Sequence, residues 1–210
     1  MSRESSLTLD RGLALLQAVA DAGGEAATIS ELAARIGASR AAVYRLLVPL
    51  ADRGLVWRDG SKVRLGVALL RLSAQVLPQL REAAAPVLRE LAEKAGATAH
   101  LSVAEGEQVQ AIAVVEPSWT SFHVAYRVGT RHAISRGAAG RAITLRGSDA
   151  AWASSTGELQ PGASGVAAPL RGVQGLRASV GVVSLEPIDP EEVGPKVVAT
   201  AAELVRALQA

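Results

Sequence analysis

The sequence predicts an α+β protein built in two parts, and three observations carry that reading. Three short amphipathic helical stretches fill the first 54 residues, and a basic hairpin signal follows at 55–66. Beyond residue 96 the apolar period changes from that of helices to that of strands, with helical stretches before and after. At 210 residues the chain is long enough for two buried cores. Aromatic residues are 3% of the composition, so those cores are aliphatic.

Thr8 is placed to cap the first helix, whose Leu9, Leu13, Leu16 and Ala20 form a stripe ending before Gly23-Gly24. In "TISELAARIG" Thr28 and Glu31 have the spacing of a capping box. Ile29, Leu32, Ala33 and Ile36 then give the buried face of the second helix, and Gly37 ends it. Ser39 caps the third helix, where Val43, Leu46, Leu47 and Leu50 recur at the spacing of one buried face.

The relation between the second and third helices predicts a helix-turn-helix. Ala33 is small where two crossing helices approach, Gly37 permits a left-handed turn, and Val43 and Leu46 return to the shared core. The outer face of the third helix carries Arg40, Ala41, Tyr44, Arg45 and Val48, with no carboxylate until Asp52. In "LVWRDGSKVRLG" Asp59-Gly60 marks a tight turn between two β-prone runs that carry Arg58, Lys62 and Arg64, the pattern of a wing. Between Arg35 and Arg64 seven basic residues face two acidic ones, whereas 76–210 holds twelve basic and thirteen acidic residues. The positive excess therefore sits on one short block, which suits a polyanion such as double-stranded DNA. Arginine forks suit guanine edges or phosphate, and a tyrosine between them can donate to phosphate or meet a thymine methyl. The expected interface comprises Thr28, Ser39, Arg40, Ala41, Tyr44, Arg45, Arg58, Lys62 and Arg64.

A helix is predicted from about Val67 to Leu80, with Pro78 near its end, and a further one opens at Pro86 and runs to Gly96. "TAHLSVAEGEQVQAIAVVEP" reads as two strands around Gly106, and "SFHVAYRVG" as a third. "SGVAAPL" and "LRASVGVVSLEP" read as another hairpin, and "EEVGPKVVATAAELVRALQ" as a closing amphipathic helix. This second part is an antiparallel sheet with flanking helices.

Other classes find little in the sequence. The chain has no cysteine, so disulfides and thiolate metal sites are excluded. His100, His123 and His132 have no metal-ligand spacing, "GASG" is not a nucleophile elbow, and no glycine-rich phosphate loop follows a strand. The reading is no catalytic residue, no metal and no cofactor, with a small-molecule enzyme as the remote alternative. No run approaches a membrane span and the first residues have no signal-peptide core, so the expectation is a cytoplasmic chain with no membrane partner.

With both halves read, the sequence resembles the IclR family of bacterial transcriptional regulators over nearly its full length. The resemblance rests on "ISELAARIGASRAAVYRLLVPLADRGLVWRDGSKVRLG", "LAEKAGATAHLSV", "VGTRHAISRGAAGRAI" and "GVAAPL…GLRASVGVVSLEP". It implies a winged helix-turn-helix DNA-binding domain at 1–66, a linker helix at 67–82 and a GAF-like effector-binding domain at 83–210, shortened around 146–163. It further implies dimers, often pairs of dimers, and control of metabolic operons by small carboxylate-bearing or aromatic effectors. Three features depart from the family pattern. Ala41-Ala42 stands where a Ser-Thr pair is common, and Pro49 lies inside the third helix, where it removes a hydrogen bond and costs about 3 kcal/mol or a kink. Only "RGSDAAWASSTGELQPGA", loop-like in character, replaces a helical stretch that bears an acidic pocket residue, and Gly165 stands where relatives often carry a cysteine.

"SRGAAGRAI" is expected to turn into a helix at Gly137, leaving the N–H groups of Ala138 and Ala139 directed at an anion such as an effector carboxylate. These two residues match the family positions whose backbone holds the effector, and Val124 and His132 match positions on the apolar side. Strand alternation puts Phe122 and Tyr126 with Val124, and Ser184 supplies a hydroxyl from the last strand. The alternative is a ligand-free domain that serves only to dimerise.

Overall fold

The computed structural model describes residues 6–119, 126–147 and 150–209. The chain forms two compact units that divide between Val76 and Leu77.

The first unit contains α1 (Leu7–Ala20), β1 (Ala27–Thr28), α2 (Ile29–Arg35), α3 (Arg40–Asp52), β2 (Val56–Asp59) and β3 (Lys62–Leu65). The strands form an antiparallel sheet in the order β1-β3-β2. Its core gathers Leu15, Val19, Ile29, Leu32, Val43, Leu47, Val56 and Val63. The capping box of α2 is complete: the Glu31 N–H donates to Thr28 Oγ1 at 3.2 Å and the Thr28 N–H to the Glu31 carboxylate at 2.8 Å. These bonds hold the Glu31 carboxyl below its ordinary range, the backbone bond first. Ser39 Oγ caps α3 by accepting from the Ala42 N–H at 3.2 Å.

Three local expectations shift. Ser6, not Thr8, caps α1, and the buried face of that helix is Leu15, Ala18 and Val19, with Leu9 60% and Leu13 55% exposed. Leucines and alanines line α1 on more than one side, so its own periodicity does not choose the stripe that meets the core. The hairpin turn is Gly60-Ser61, because Asp59 pairs with Lys62 and only Gly60 takes a positive φ (+56°). Pro49 does not end α3: its ring is exposed, and the helix runs on through it to Asp52.

The two helices expected before residue 96 are one, α4 (Ala68–Ala95), which contains both Pro78 and Pro86. Both prolines are exposed, while Leu80, Ala84, Val87, Leu88, Leu91 and Ala92 keep one buried face across Pro86. Packing of that face outweighs the missing backbone bonds. No helix of the described residues is long and apolar enough to cross a membrane.

The second unit is a six-stranded antiparallel sheet in the order β6-β5-β4-β9-β8-β7. Its strands are β4 (Thr98–Glu105), β5 (Gln108–Val115), β6 (Arg131–Ala133), β7 (Ala153–Thr156), β8 (Ser164–Pro169) and β9 (Ala178–Ser184). Helices α5 (Gly137–Thr144) and α6 (Pro190–Gln209) complete it. Residues 121–125 of the third expected strand lie outside the described residues, and 126–130 form no strand. The segment read as a loop between α5 and β8 contains β7, whose serines and threonine pair with β8 at the sheet edge.

The two faces of this sheet differ in chemistry. Ala99, Leu101, Ile112, Val166, Val180 and Val182 share one apolar cluster with α4 and α6. The alternate residues of the same strands, His100, Ser102, Ala111, Gly165, Ala167, Ser179 and Gly181, face the side of α5. That second face is small and polar, and the cavity described below lies on it.

Candidate nucleic-acid interface and effector cavity

Gly37, at φ +61°, supplies the left-handed turn between α2 and α3, and the Ala38 N–H donates to the Ala33 carbonyl at 2.9 Å. With Ala33, Val43 and Leu47 buried, Arg40, Ala41, Tyr44, Arg45 and Val48 are all exposed. Among the described residues, no carboxylate pairs with Arg40, Arg45, Arg58, Lys62 or Arg64. The Arg58 guanidinium lies over the Tyr44 ring, 5.5 Å from its centroid, and so joins the hairpin to the outer face of α3.

The hairpin residues divide between its two faces. Register puts Arg58 on the same side as the buried Val56 and Val63, reaching past the core toward Tyr44. Lys62 and Arg64 lie on the opposite side with the exposed Trp57. The hydroxyls of Thr28 and Ser39 both act as caps, and that of Thr28 also bonds the Glu31 carboxylate at 2.9 Å.

In the second unit a cavity of about 30 Å³ is lined by His100, Tyr126, Ala138, Ala139, Glu158 and Val183, among others. His100 Nδ1 and Ser102 Oγ are 3.1 Å apart, and Ser102 Oγ and the Tyr126 hydroxyl 3.5 Å. The His100 and Tyr126 rings pack with centroids 5.0 Å apart. Burial, and then the nearby His132, push the His100 imidazole down to about 3, so it is neutral near pH 7. Burial also raises the Tyr126 phenol, against the opposing bond from Ser102. Ser179 Oγ donates to the Ala139 carbonyl at 3.1 Å and ties α5 to the sheet.

The α5 N-terminus is capped from a distance. Arg136, its N-cap residue, makes no side-chain cap; instead the Gly137 N–H donates to Glu158 Oε2 at 2.8 Å. The Arg141 guanidinium pairs with Glu158 Oε1, and the Arg136 guanidinium donates to the Glu158 carbonyl. Among the described residues, no group of three His, Cys, Asp or Glu could hold a metal ion.

Two family models match the chain: the IclR helix-turn-helix domain over residues 8–60, and the bacterial transcriptional regulator IclR C-terminal domain over residues 74–151. The chain belongs to the IclR family. A curated IclR-type relative, the HTH-type transcriptional regulator BhcR of Paracoccus denitrificans, is 33% identical over 144 residues. That match takes in 64% of this chain and spans about half (49%) of the relative's length. Among solved structures, an IclR family transcriptional regulator from Brucella abortus aligns with a TM-score of 0.57 at 18% identity, covering 99% of this chain and 94% of that one. A regulator from Alicyclobacillus acidocaldarius gives 0.54 at 21% identity over 97% and 99%. An IclR homologue from Microbacterium hydrocarbonoxydans, complexed with 4-hydroxybenzoate, gives 0.54 at 18% identity over 96% and 99%. At these identities the structures show a shared fold.

Against the IclR pattern, Tyr126, Ala138 and Ala139 of the expected effector residues line the cavity. Phe122 and Val124 lie outside the described residues. His132 stands on β6 with a buried Nε2 that finds no partner among the described residues. Ser184 is a correction: strand parity puts it with Val182, on the face opposite Val183, and its hydroxyl accepts from the Glu186 N–H at 2.9 Å. The bridging segment, expected to lack an acidic pocket residue, supplies one to the cavity wall in Glu158. His100 and Ser102 line or adjoin the cavity without having been singled out, although two polar residues at i and i+2 within "TAHLSV" mark a polar strand face.

Proposed function

We propose that this IclR-family chain is a DNA-binding transcriptional regulator, a repressor acting in the cytoplasm, whose α3 enters the major groove of a pseudo-palindromic operator. The observation that carries this reading is the exposed basic face of α3 with Arg58 held over Tyr44. Arg40 and Arg45 contact base edges or phosphates, and Thr28, Ser39 and Ala41 lie beside the backbone. Lys62 and Arg64, on the other face of the hairpin, reach phosphates rather than bases. The protein acts as a homodimer that can pair into tetramers, and it is not an enzyme. Leu7, Leu9 and Leu13 of α1, and Leu70, Leu72 and Val76 of α4, are large exposed apolar side chains, which supports burial against a second copy. Residues 1–66 bind DNA, 67–82 link, and 83–210 receive a small anionic metabolite at Tyr126, His132, Ala138 and Ala139. The 4-hydroxybenzoate bound by the Microbacterium homologue supports a carboxylate as the ligand class.

Mobility-shift assays on upstream regions of neighbouring genes, at several salt concentrations, test the DNA reading. Binding should weaken with salt and fall by about 1–3 kcal/mol in Arg40→Ala or Arg45→Ala where the contact is bidentate to guanine. Folded variants that bind as tightly as the parent would remove α3 from the interface. A second reading, a ligand-free C-terminal domain that only dimerises, is favoured by the small cavity and by the Glu158 carboxylate at the α5 N-terminus.

A further inference from the structure

We infer that Glu158 is a tethered occupant of the effector's anion site and sets which ligands can enter. The inference rests on the effector reading above. The carboxylate takes the hydrogen bond of the Gly137 N–H at 2.8 Å and pairs with Arg141 through its other oxygen. It does so from the β7–β8 connection, 21 residues along the chain, and Arg136 grips the same residue by its backbone carbonyl. Leu159 closes the arrangement from above: a Cβ on Gly137 would stand 2.7 Å from Leu159 Cδ1. Glu158, Leu159, Ala138 and Ala139 all line the one cavity, which bounds this contact with His100 and Tyr126.

An anion that caps a helix from a short loop competes with any free anion for the same N–H groups. A short flexible tether sets an effective concentration of about millimolar. The affinity of a free carboxylate is reduced by the fraction of molecules in which Glu158 has let go. The cavity of about 30 Å³ is small for a ligand while Glu158 and Leu159 fill its rim, so binding must displace the 157–163 connection. The ligand is therefore a small carboxylate that takes over the Gly137 N–H and the Arg141 guanidinium together. A neutral ligand gains nothing from that exchange.

The experiment uses the full chain and three variants, Glu158→Gln, Glu158→Ala and Leu159→Ala, each checked for folding by circular dichroism and thermal melting. Acetate, benzoate and 4-hydroxybenzoate are titrated by calorimetry, with acetamide and benzamide as uncharged controls, and the Gly137 amide is followed by NMR. Both Glu158 variants should bind at least one carboxylate about tenfold more tightly than the parent. The Gly137 resonance should move during that titration, and the amides should gain nothing. Glu158→Gln keeps the side-chain volume, so it carries the test if Glu158→Ala unfolds. Equal carboxylate affinity in parent and variants overturns the competition and leaves the effector reading standing. An equal gain for the amides overturns it as well, because opened space alone would explain the gain. If no carboxylate binds any folded protein, both the inference and the effector reading fail, and the ligand-free reading holds.

Discussion

Arg58, on the hairpin, places its guanidinium over the Tyr44 ring on α3 at 5.5 Å from the centroid. The hairpin and α3 are thereby held together by an interaction that needs no carboxylate, which leaves this face without a negative charge. An exposed cation–π pair is worth about 0.5–1 kcal/mol. Tyr44→Ala should therefore weaken operator binding through Arg58 as well as through the missing phenol. In a double-mutant cycle of Tyr44→Ala with Arg58→Ala, read as operator affinity, the coupling should be about 0.5–1 kcal/mol. Tyr44→Phe keeps the ring and should keep the coupling. Strict additivity would show that the pair has no part in the bound state.

The division of the hairpin gives its own test. Lys62 and Arg64 lie on the face away from Arg58 and make no ion pair among the described residues. Replacing either by Ala should weaken all sequences alike and lower the salt slope by about one for each phosphate no longer neutralised. Arg40→Ala and Arg45→Ala should instead relax preference at particular base pairs. A hairpin variant that alters sequence preference while leaving the salt slope untouched would contradict the assignment.

The first unit was legible because its signals are local. The capping box of Thr28 and Glu31, the Ser39 cap and the Gly37 turn each depend on residues within a few positions. The buried face of α1 was not legible, since leucines on more than one side can each serve as a core stripe, and the fold chooses by what lies opposite. Proline read as a helix boundary failed in α4 because both rings are exposed and, at Pro86, the buried apolar face runs on beneath the ring. Glu158 escaped for the opposite reason: its partner is 21 residues away, and a carboxylate in a glycine- and serine-rich segment carries no periodic signal. Ser184 shows how a one-residue slip in a strand moves a side chain to the other face.

Buried His100 should make stability depend on pH. Its pKa is about 3 in the folded chain against 6.5 for the ordinary group, so between these values the unfolded chain binds the extra proton. The contribution is complete above 6.5 and falls by about 1.4 kcal/mol for each pH unit below it. Urea unfolding at pH 7.5 and 5.5 should show a loss of about that size in the parent that is absent in His100→Gln. The same pH slope in both proteins would mean that His100 takes up its proton in the fold as readily as in the unfolded chain.

Gly140 offers a case where the usual sign reverses. In the middle of an exposed helix, replacing glycine by alanine stabilises by about 1 kcal/mol, because it removes backbone freedom from the unfolded chain. In α5, however, a Cβ at Gly140 would stand 2.2 Å from the Ile134 carbonyl oxygen and 2.8 Å from its carbon. The obstacle is backbone, so α5 itself must shift. Overpacking of this kind costs about 1–3 kcal/mol, which exceeds the helix gain. Gly140→Ala should therefore unfold at lower urea than the parent. Because Ala138 and Ala139 line the cavity from the same helix, carboxylate affinity should fall together with stability. A variant more stable than the parent would show that α5 does not approach the Ile134 backbone this closely, and the cavity wall would have to be redrawn.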